Sequence, residues 1–560
     1  MLAVLPLAVL ALGMPAAAGA FSWNLPATTI SPESEDSGEA RVAVAPDGTT
    51  TVIWLKSSNA TVYAATRPAG QAVFGPPELL SDPIGTDQWP RVAVSPDGTT
   101  TVVWKNTGAD VIQAVTRPPG SATFGPIEVI SEVGLQPFLP EVVAGGDGSV
   151  TAIWEARDFI PDPPYATYSQ VKAAVRLPGQ SAFGPAKNIS EQGALSNACP
   201  TLQQVASAPE GTTTAVWSLV DVSGDCVIQS ATRAAGQASF PSPSTTPPDV
   251  LSAPGEEGNF PQVAVGRNRK ATAVWRNATH GRIDSATRTA GAASFGDPVD
   301  ISDGENGVDP QVALAPDGQA TAVWSTNSTD LIEGATRAAG SSAWGEVTTV
   351  SILDGPSTAQ YFPKLAVAND GRATVVWTNL VSPGGNRLGT LSTTRAPGSS
   401  DWSAAEMLGP DGGPFSYPFP IPDLAVGADG RATAVWNANR DGRLVIQAVS
   451  STIPDSVTVT SLKSKVTRNS VLITSKAKVS GKGKITQRAT TGKGSGMKTW
   501  CRTSSNAGKA GTYSLSCNLG KKGRAALRKA ALKLTVRTTF TPAAGTAVTV
   551  DRNLTVPRKR

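Results

Sequence analysis

Short runs in which Val, Ile and Ala alternate with Thr, Arg and Ser follow one another along most of the chain, separated by turns rich in Gly and Pro. The stretch from Arg41 to Trp54 reads RVAVAPDGTTTVIW, and Arg91 to Trp104 reads RVAVSPDGTTTVVW. Alternation at a period of two over such lengths predicts half-buried β-strands. The pattern closes on a tryptophan eight times, at Trp54, Trp104, Trp154, Trp217, Trp275, Trp324, Trp377 and Trp436, at spacings of 49 to 63 residues. Each unit predicts four strands, which in the first are RVAVA, TTTVIW, TVYAATR and FGPPELLS. Pro46-Asp47-Gly48 turns the first strand into the second, and Pro68-Ala69-Gly70 begins the turn from the third to the fourth.

Four-stranded units at this period are expected of propeller blades. The eighth unit supplies PDLAVGADGRATAVW and LVIQAVSS but no fourth strand before Asp455. FSWNLPATTIS, from Phe21 to Ser31, has the fourth-strand pattern with no other strand before it, and pairing the two would close a ring and hide both edges. The expected fold class is all-β. An eight-bladed β-propeller closed by an N-terminal strand occupies residues 21–454, and a small β-sandwich domain follows at 455–560. An open β-solenoid is the alternative. Composition agrees, with 40% apolar and 16% charged residues, 55 Gly and 44 Pro.

The segments TRPAGQAVFG (Thr66 to Gly75) and TRAAGSSAWG (Thr336 to Gly345), each followed by a strand and a Ser, resemble the Asp-box (BNR) repeats of sialidase-like propellers. In that family Ser-x-Asp-x-Gly precedes an aromatic at the turn between third and fourth strands. Gly70 and Gly340, with Phe74 and Trp344, match with one residue inserted, while Pro68 or Ala338 stands in place of the Asp. The resemblance covers about residues 21 to 452 and implies the fold. Sialidases also need three converging arginines, a Tyr/Glu pair and an acidic Asp. Arg67, Arg117, Arg176, Arg233, Arg288, Arg337 and Arg395 are available, but they recur at one position in successive units. A residue present in every blade belongs to the blade, so these are read as structural bonds to a neighbouring turn. No sialidase site is carried over.

Other catalytic sets are equally thin. His280 is the only histidine, and no G-x-S-x-G, H-E-x-x-H or phosphate-cradling loop occurs in the right context. Asp47, Asp97, Asp147, Asp317, Asp370 and Asp429 sit at turns between first and second strands and read as turn formers. The cysteines form two local pairs, Cys199 with Cys226 and Cys501 with Cys517, with no C-x-x-C, so disulfides are expected and neither a metal nor a cofactor is.

The meander puts the stereotyped turns on one face and the variable loops on the other, where function is placed. Insertions there include EARDFIPDPPYATYSQ, SLVDVSGDC and TNLVSPGGNRLG, together with SILDGPSTAQYFP and LGPDGGPFSYPFPIP. Aromatics gather on that face. Tyr165, Tyr168, Phe415 and Tyr417 lie in insertions, and with Trp89 and Tyr361 they are the candidate ligand-binding residues. The aromatics that precede a proline at a repeated position (Trp89, Phe260, Phe362) weigh toward packing between blades.

Charge divides the chain. Residues 455–560 hold 23 of the 48 basic residues and two of the 44 acidic ones, a net of +21 that leaves −17 for the remainder. Runs such as SVTVTSL, SVLITSKAKV, TYSLSCNL and ALKLTVRTTF suggest an immunoglobulin-like sandwich, with RAALRKAAL as a surface helix. The segment resembles basic C-terminal modules of secreted bacterial envelope proteins. Its charge suits polyanions, with Lys482, Lys484, Lys521, Lys522, Arg524 and Arg528 as candidate contacts. Its three aromatics, Trp500, Tyr513 and Phe540, provide no interleaved stacking, so nucleic acid is not an expected partner.

The apolar run from Leu2 to Leu12, ending in Ala18-Gly19-Ala20, reads as a signal peptide over residues 1–20. No Lys or Arg precedes Arg41, so the expected basic leader is missing and translation is expected to start upstream. A short membrane anchor is the alternative, but the run is too short for a transmembrane segment. These features predict a secreted or envelope-associated recognition protein. Its propeller would bind a glycan or cell-surface protein, and its basic domain an anionic wall polymer. The rivals are a glycoside hydrolase or lyase at the propeller mouth and a purely structural envelope protein.

Overall fold

In the computed structural model the alternating runs pair into antiparallel sheets. Residues 21–558 are described, apart from 84–85, 161–165, 195–198, 200–201, 222, 354–358, 382–386, 411–420, 453–456, 493–495, 509–510 and 544–546. Residues 1–20, and with them the expected signal peptide, lie outside this set. The chain divides into two units, Trp23–Ser451 and a second formed mainly by Thr452–Arg560.

The first unit is a β-propeller. Its opening sheet runs Ser37–Val44, Thr50–Lys56, Thr61–Arg67 and Glu78–Leu79, with spatial order equal to chain order. The same four-stranded meander recurs in sheets that begin at Asp87–Val94, Gln136–Ala144 (where Gly193–Ala194 adds a fifth strand beside the third), Gln203–Ser207, Gly258–Val265, Gly307–Leu314 and Ala359–Val367. The sheet that begins at Asp423–Val426 takes its fourth strand, Thr28–Thr29, from the other end of the unit, with Thr28 opposite Ala448 and Thr29 opposite Gln447. First strands lie side by side in succession, and Asp423–Val426 lies against Ser37–Val44.

A repeated hydrogen bond marks the equivalence of the fourth strands. In most sheets the serine after the fourth strand accepts the N–H of a third-strand residue: Ser81 from Val62 (3.0 Å), Ser131 from Ile112 (2.8 Å), Ser302 from Ile283 (2.9 Å) and Ser351 from Ile332 (3.0 Å). Ser31 accepts from Ile446 at 2.8 Å in the same way.

Two side chains per repeat bind sheet to sheet. Each repeat tryptophan is at most 1% exposed. Trp104 packs on Ile53, Val62 and Ala64 of the preceding sheet, and Trp54 on Val435, Ile446 and Ala448 of the last. In seven of the eight sheets the third strand ends in an arginine that reaches hydroxyls of the preceding sheet. Arg117 donates to Thr66 and Thr51 (2.7 Å to the latter), Arg337 to Thr287 and Thr272 (2.6 Å to the latter), and Arg395 to Thr336 and Thr321 (2.6 Å to the latter). Arg67 carries the same link across the closure, donating to Ser450 at 2.8 Å. An aromatic from the following turn covers the guanidinium: Phe74 lies 5.1 Å from Arg67, Phe124 4.9 Å from Arg117 and Trp344 5.1 Å from Arg337.

The insertions expected as loops in the third and seventh sheets are instead lengthened hairpins, Val150–Ile160 with Ala166–Arg176 and Ala373–Val381 with Arg387–Arg395. Their alternation continues past the repeat, so the ladder continues with it.

The second unit has a three-stranded sheet of Val457–Val466, Val471–Val479 and Gly511–Asn518. A four-stranded sheet has the order Lys498–Ala507, Gly483–Thr491, Leu532–Pro542 and Val548–Val556. Side chains from both sheets share their cores, and the Cys501–Cys517 disulfide joins one sheet to the other. The helix is Gly520–Lys529 rather than 524–532, because Leu532, Leu534 and Val536 alternate inward as a strand. No helix among the described residues is long and apolar enough to cross a membrane.

Arg337→Met keeps most of the buried volume and removes the bridge to Thr272 and Thr287. We expect a loss on the order of 3 kcal/mol, read from urea unfolding followed by tryptophan fluorescence. Twelve of the thirteen tryptophans precede residue 455. A midpoint within error of the parent would show that the bridge contributes nothing.

Candidate functional site

Each first strand contains an apolar pair, Val/Leu-Ala in all but the third (Val142-Val143), preceded by one polar residue whose type is not fixed from repeat to repeat. In six sheets the ladder slips just before it, as between Gln88 and Arg91 or Asn259 and Gln262. The slip contains a non-glycine residue at positive φ: Glu39 (54°), Trp89 (52°), Leu139 (49°), Phe260 (53°), Asp309 (51°) and Phe362 (55°). Such backbone is strained for bulky side chains, and a proline follows in five of the six, where the bulge asks for no ladder N–H.

Four of the six bulge residues face a common pocket. Leu139, Leu202, Phe260, Asp309, Phe362 and Ile421 line a mouth of about 190 Å³ on the face that carries the variable loops. Phe260 and Phe362, which the sequence weighed toward packing between blades, both line this mouth. Phe260 is 40% exposed, because positive φ swings it out of the inter-sheet space.

Beneath the mouth the polar residues converge. Arg41, Arg91, Glu141, Gln204, Gln262, Gln311, Lys364 and Asp423, one from each sheet, line a cavity of about 320 Å³. Glu141 accepts from Arg91 Nε at 2.7 Å and from Gln204 Nε2 at 3.4 Å. Asp423 accepts the N–H of Val42 at 2.9 Å, and Arg41 donates to the Ala40 carbonyl at 2.8 Å. Three cations face two carboxylates.

Burial lowers the pKa of Arg41, and the charge of Arg91 lowers it further. Burial also opposes the charge on Arg91, but Glu141 outweighs it and leaves that group raised. Lys364 is lowered by burial and by Arg41. The ring thus has an arc of charge (Lys364, Asp423, Arg41, Arg91, Glu141) and an arc of three glutamines. It can hold a polar ligand with an excess of positive charge, and both of its carboxylates are already engaged. No metal-binding group of three His, Cys, Asp or Glu occurs among the described residues.

The candidate aromatics are only partly brought together. Trp89 is a bulge residue at this end of the propeller, its ring 5.8 Å from Phe138. Phe138 in turn lies 3.9 Å from Lys105 Nζ and 4.0 Å from the Arg157 guanidinium carbon. Tyr361 precedes bulge residue Phe362, with ring centroids 6.1 Å apart. Tyr168 lies on the long hairpin of the third sheet, opposite Asp158 and Ala194. Tyr165, Phe415 and Tyr417 fall outside the described residues. The Cys199–Cys226 disulfide is formed, and His280 is half exposed beside Glu256 (3.1 Å).

In the second unit the candidate basic residues separate. Lys482 and Lys484 lie at one end of the four-stranded sheet, with Lys484 opposite Thr541. Lys521, Lys522, Arg524 and Arg528 ride on the helix, which leads into Leu532 at the other end of that strand. An eleven-residue strand sets the two groups about 30 Å apart.

Sequence reasoning missed the axial ring. Its signal was one position holding Arg, Arg, Glu, Gln, Gln, Gln, Lys and Asp before an almost invariant apolar run.

No family model and no curated protein matches the chain. Similar solved structures include a Dyadobacter fermentans protein of unknown function, at 12% identity over 66% of this chain and 94% of that one, TM-score 0.39. The polysaccharide lyase Uly1 is similar at 11% identity over 73% of this chain and 89% of that one, TM-score 0.40. The microbial sialidase Hz136 is similar at 10% identity over 71% and 72%, TM-score 0.35. Likeness at this level leaves the site to be argued from the chain's own geometry.

Asp87, at the entry to the second sheet, is wholly buried, neither of its carboxylate oxygens has a hydrogen-bond partner among the described residues, and burial pushes its carboxyl up to about 6. The folded protein then keeps a proton that the unfolded chain releases from about pH 4 upward, so this group's contribution falls as pH rises through that window. Asp87→Asn, which stays neutral, should melt near the parent at pH 4 and above it at pH 7.5. Parallel melting curves at the two pH values would contradict a raised pKa.

Proposed function

We propose that the chain is an exported, non-catalytic recognition protein of the cell surface or envelope. In this reading residues 1–20 are a signal peptide, 21–454 a closed eight-bladed propeller, and 455–560 an immunoglobulin-like sandwich that binds an anionic polymer. The propeller mouth takes a glycan bearing an acidic group. Two disulfides support export.

The axial ring carries this reading. Packing of one sheet on the next asks for the same residue in repeat after repeat, as the eight tryptophans and seven arginines illustrate. The ring position instead holds five residue types aimed into one cavity. Gln204, Gln262 and Gln311 offer amide donors and acceptors to sugar hydroxyls, Phe260 and Phe362 offer flat apolar faces, and Arg41 and Lys364 attract an acid. Engagement of Glu141 by Arg91 and of Asp423 by the Val42 N–H favours binding over an acid–base pair for glycosidic cleavage.

Titration of the whole chain against neutral and acidic oligosaccharides tests this. We expect an acidic glycan to bind, and Gln262→Ala and Phe362→Ala each to weaken it about tenfold, close to 1.4 kcal/mol. Retention of a protein instead of any glycan, unchanged affinity in both variants, or release of new reducing ends would overturn the assignment.

A further inference from the structure

We infer that the outer face of the four-stranded sheet in the second unit is a docking surface for a linear acidic polysaccharide, centred on a row of three arginines. The inference rests on the reading of this unit as a polyanion binder and names the surface, which differs from the lysines that the sequence pointed to.

The row follows from register. Arg488 stands directly opposite Arg502 on one neighbouring strand and Arg537 on the other, and Arg537 stands opposite Asp551. Alternate residues on these strands (Ile485, Gln487 and Ala489; Leu534, Val536 and Thr538) are buried, so the arginines share the solvent side. Strand spacing sets their Cα atoms about 5 Å apart. Like charges directly opposite destabilise a sheet, and no core packing asks for arginine on an outward face.

Little inside the unit neutralises them. Arg537 forms a two-pronged pair with Asp551 (2.8 and 2.7 Å), and Arg488 Nε donates to Thr499 at 2.9 Å. Among the described residues no ion pair involves Arg488 or Arg502, and Asp455 and Asp551 are the only acids after residue 454. A guanidinium has five N–H donors in a planar fork, so most of the donors in the row are available to oxyanions.

The surroundings favour a sugar polymer. Ser504, Thr486, Thr539 and Thr549 form the row on one side of the arginines, and Thr535 and Asn553 flank the other. These hydroxyl and amide groups suit sugar hydroxyls between acidic groups. Bases would need stacking platforms, and Trp500, half-buried on the edge strand, is already held by Thr491 (2.9 Å) and covered by Lys498 (4.2 Å).

The opposite sheet supplies a control, because Lys476 and Lys478 are exposed on its own outer face. Arg488→Gln/Arg502→Gln and Lys476→Gln/Lys478→Gln each remove two positive charges from the full chain. Binding to polygalacturonate, heparin, polyphosphate and oligo-dT is measured in about 50 and 150 mM salt. We expect the parent to bind polygalacturonate or heparin. The arginine pair should lose about tenfold or more, the lysine pair less than about threefold, and Arg488→Lys an intermediate amount. The arginine variant should unfold no earlier than the parent, since it relieves repulsion. Equal losses in the two double variants would overturn the row and leave diffuse attraction. Tighter binding of oligo-dT or polyphosphate than of either polysaccharide would overturn the occupant. A parent that binds none of the four would overturn the polyanion reading itself.

Discussion

The bond between each buried arginine and the hydroxyls of the preceding sheet is the constraint on which the propeller depends. Tryptophan packing supplies apolar burial but little direction, because dispersion contacts tolerate sliding. A guanidinium that must reach two threonines at once, beneath an aromatic ring, fixes how far one sheet is rotated and shifted against the next. The partners are neutral hydroxyls, and burial lowers the pKa of all seven arginines. The charge is stabilised by correctly placed acceptors and the ring above it, which makes the contact intolerant of error. The same residues resemble a sialidase arginine set in sequence, and their burial explains why they are unavailable to a ligand.

Each first strand still packs its apolar residues on its neighbours, as Ala40 and Val42 do around Trp54, but the polar position and the residue before it are free of that duty. That freedom is visible in the bulges, where bulky residues sit at positive φ and prolines interrupt the ladder. Strain concentrated at one end of the first strands, facing a polar cavity, is the pattern of a site built on a rigid scaffold. The two units also divide the electrostatic work. The propeller carries the acids of the chain yet presents a slightly positive ring at its axis, while the second unit carries nearly half of the basic residues with two carboxylates.

Much of this was legible in the sequence. Period-two alternation, Asp-Gly turns and a tryptophan every fifty residues or so specify four-stranded sheets, because each signal is local. The pairing of Thr28–Thr29 with the last sheet could be read by counting strands, and both disulfides by the proximity of their cysteines. The division of charge was a matter of counting. What only the tertiary structure decided is which distant residues meet. Arg41 and Asp423 share one cavity only because the run of sheets returns on itself, and Phe260 faces the mouth only because its φ is positive. Arg488 stands between Arg502 and Arg537 only because two strand registers agree. Sequence period fixes the face a residue occupies, but juxtaposition across hundreds of residues depends on closure, backbone sign and register, and these are properties of the folded chain.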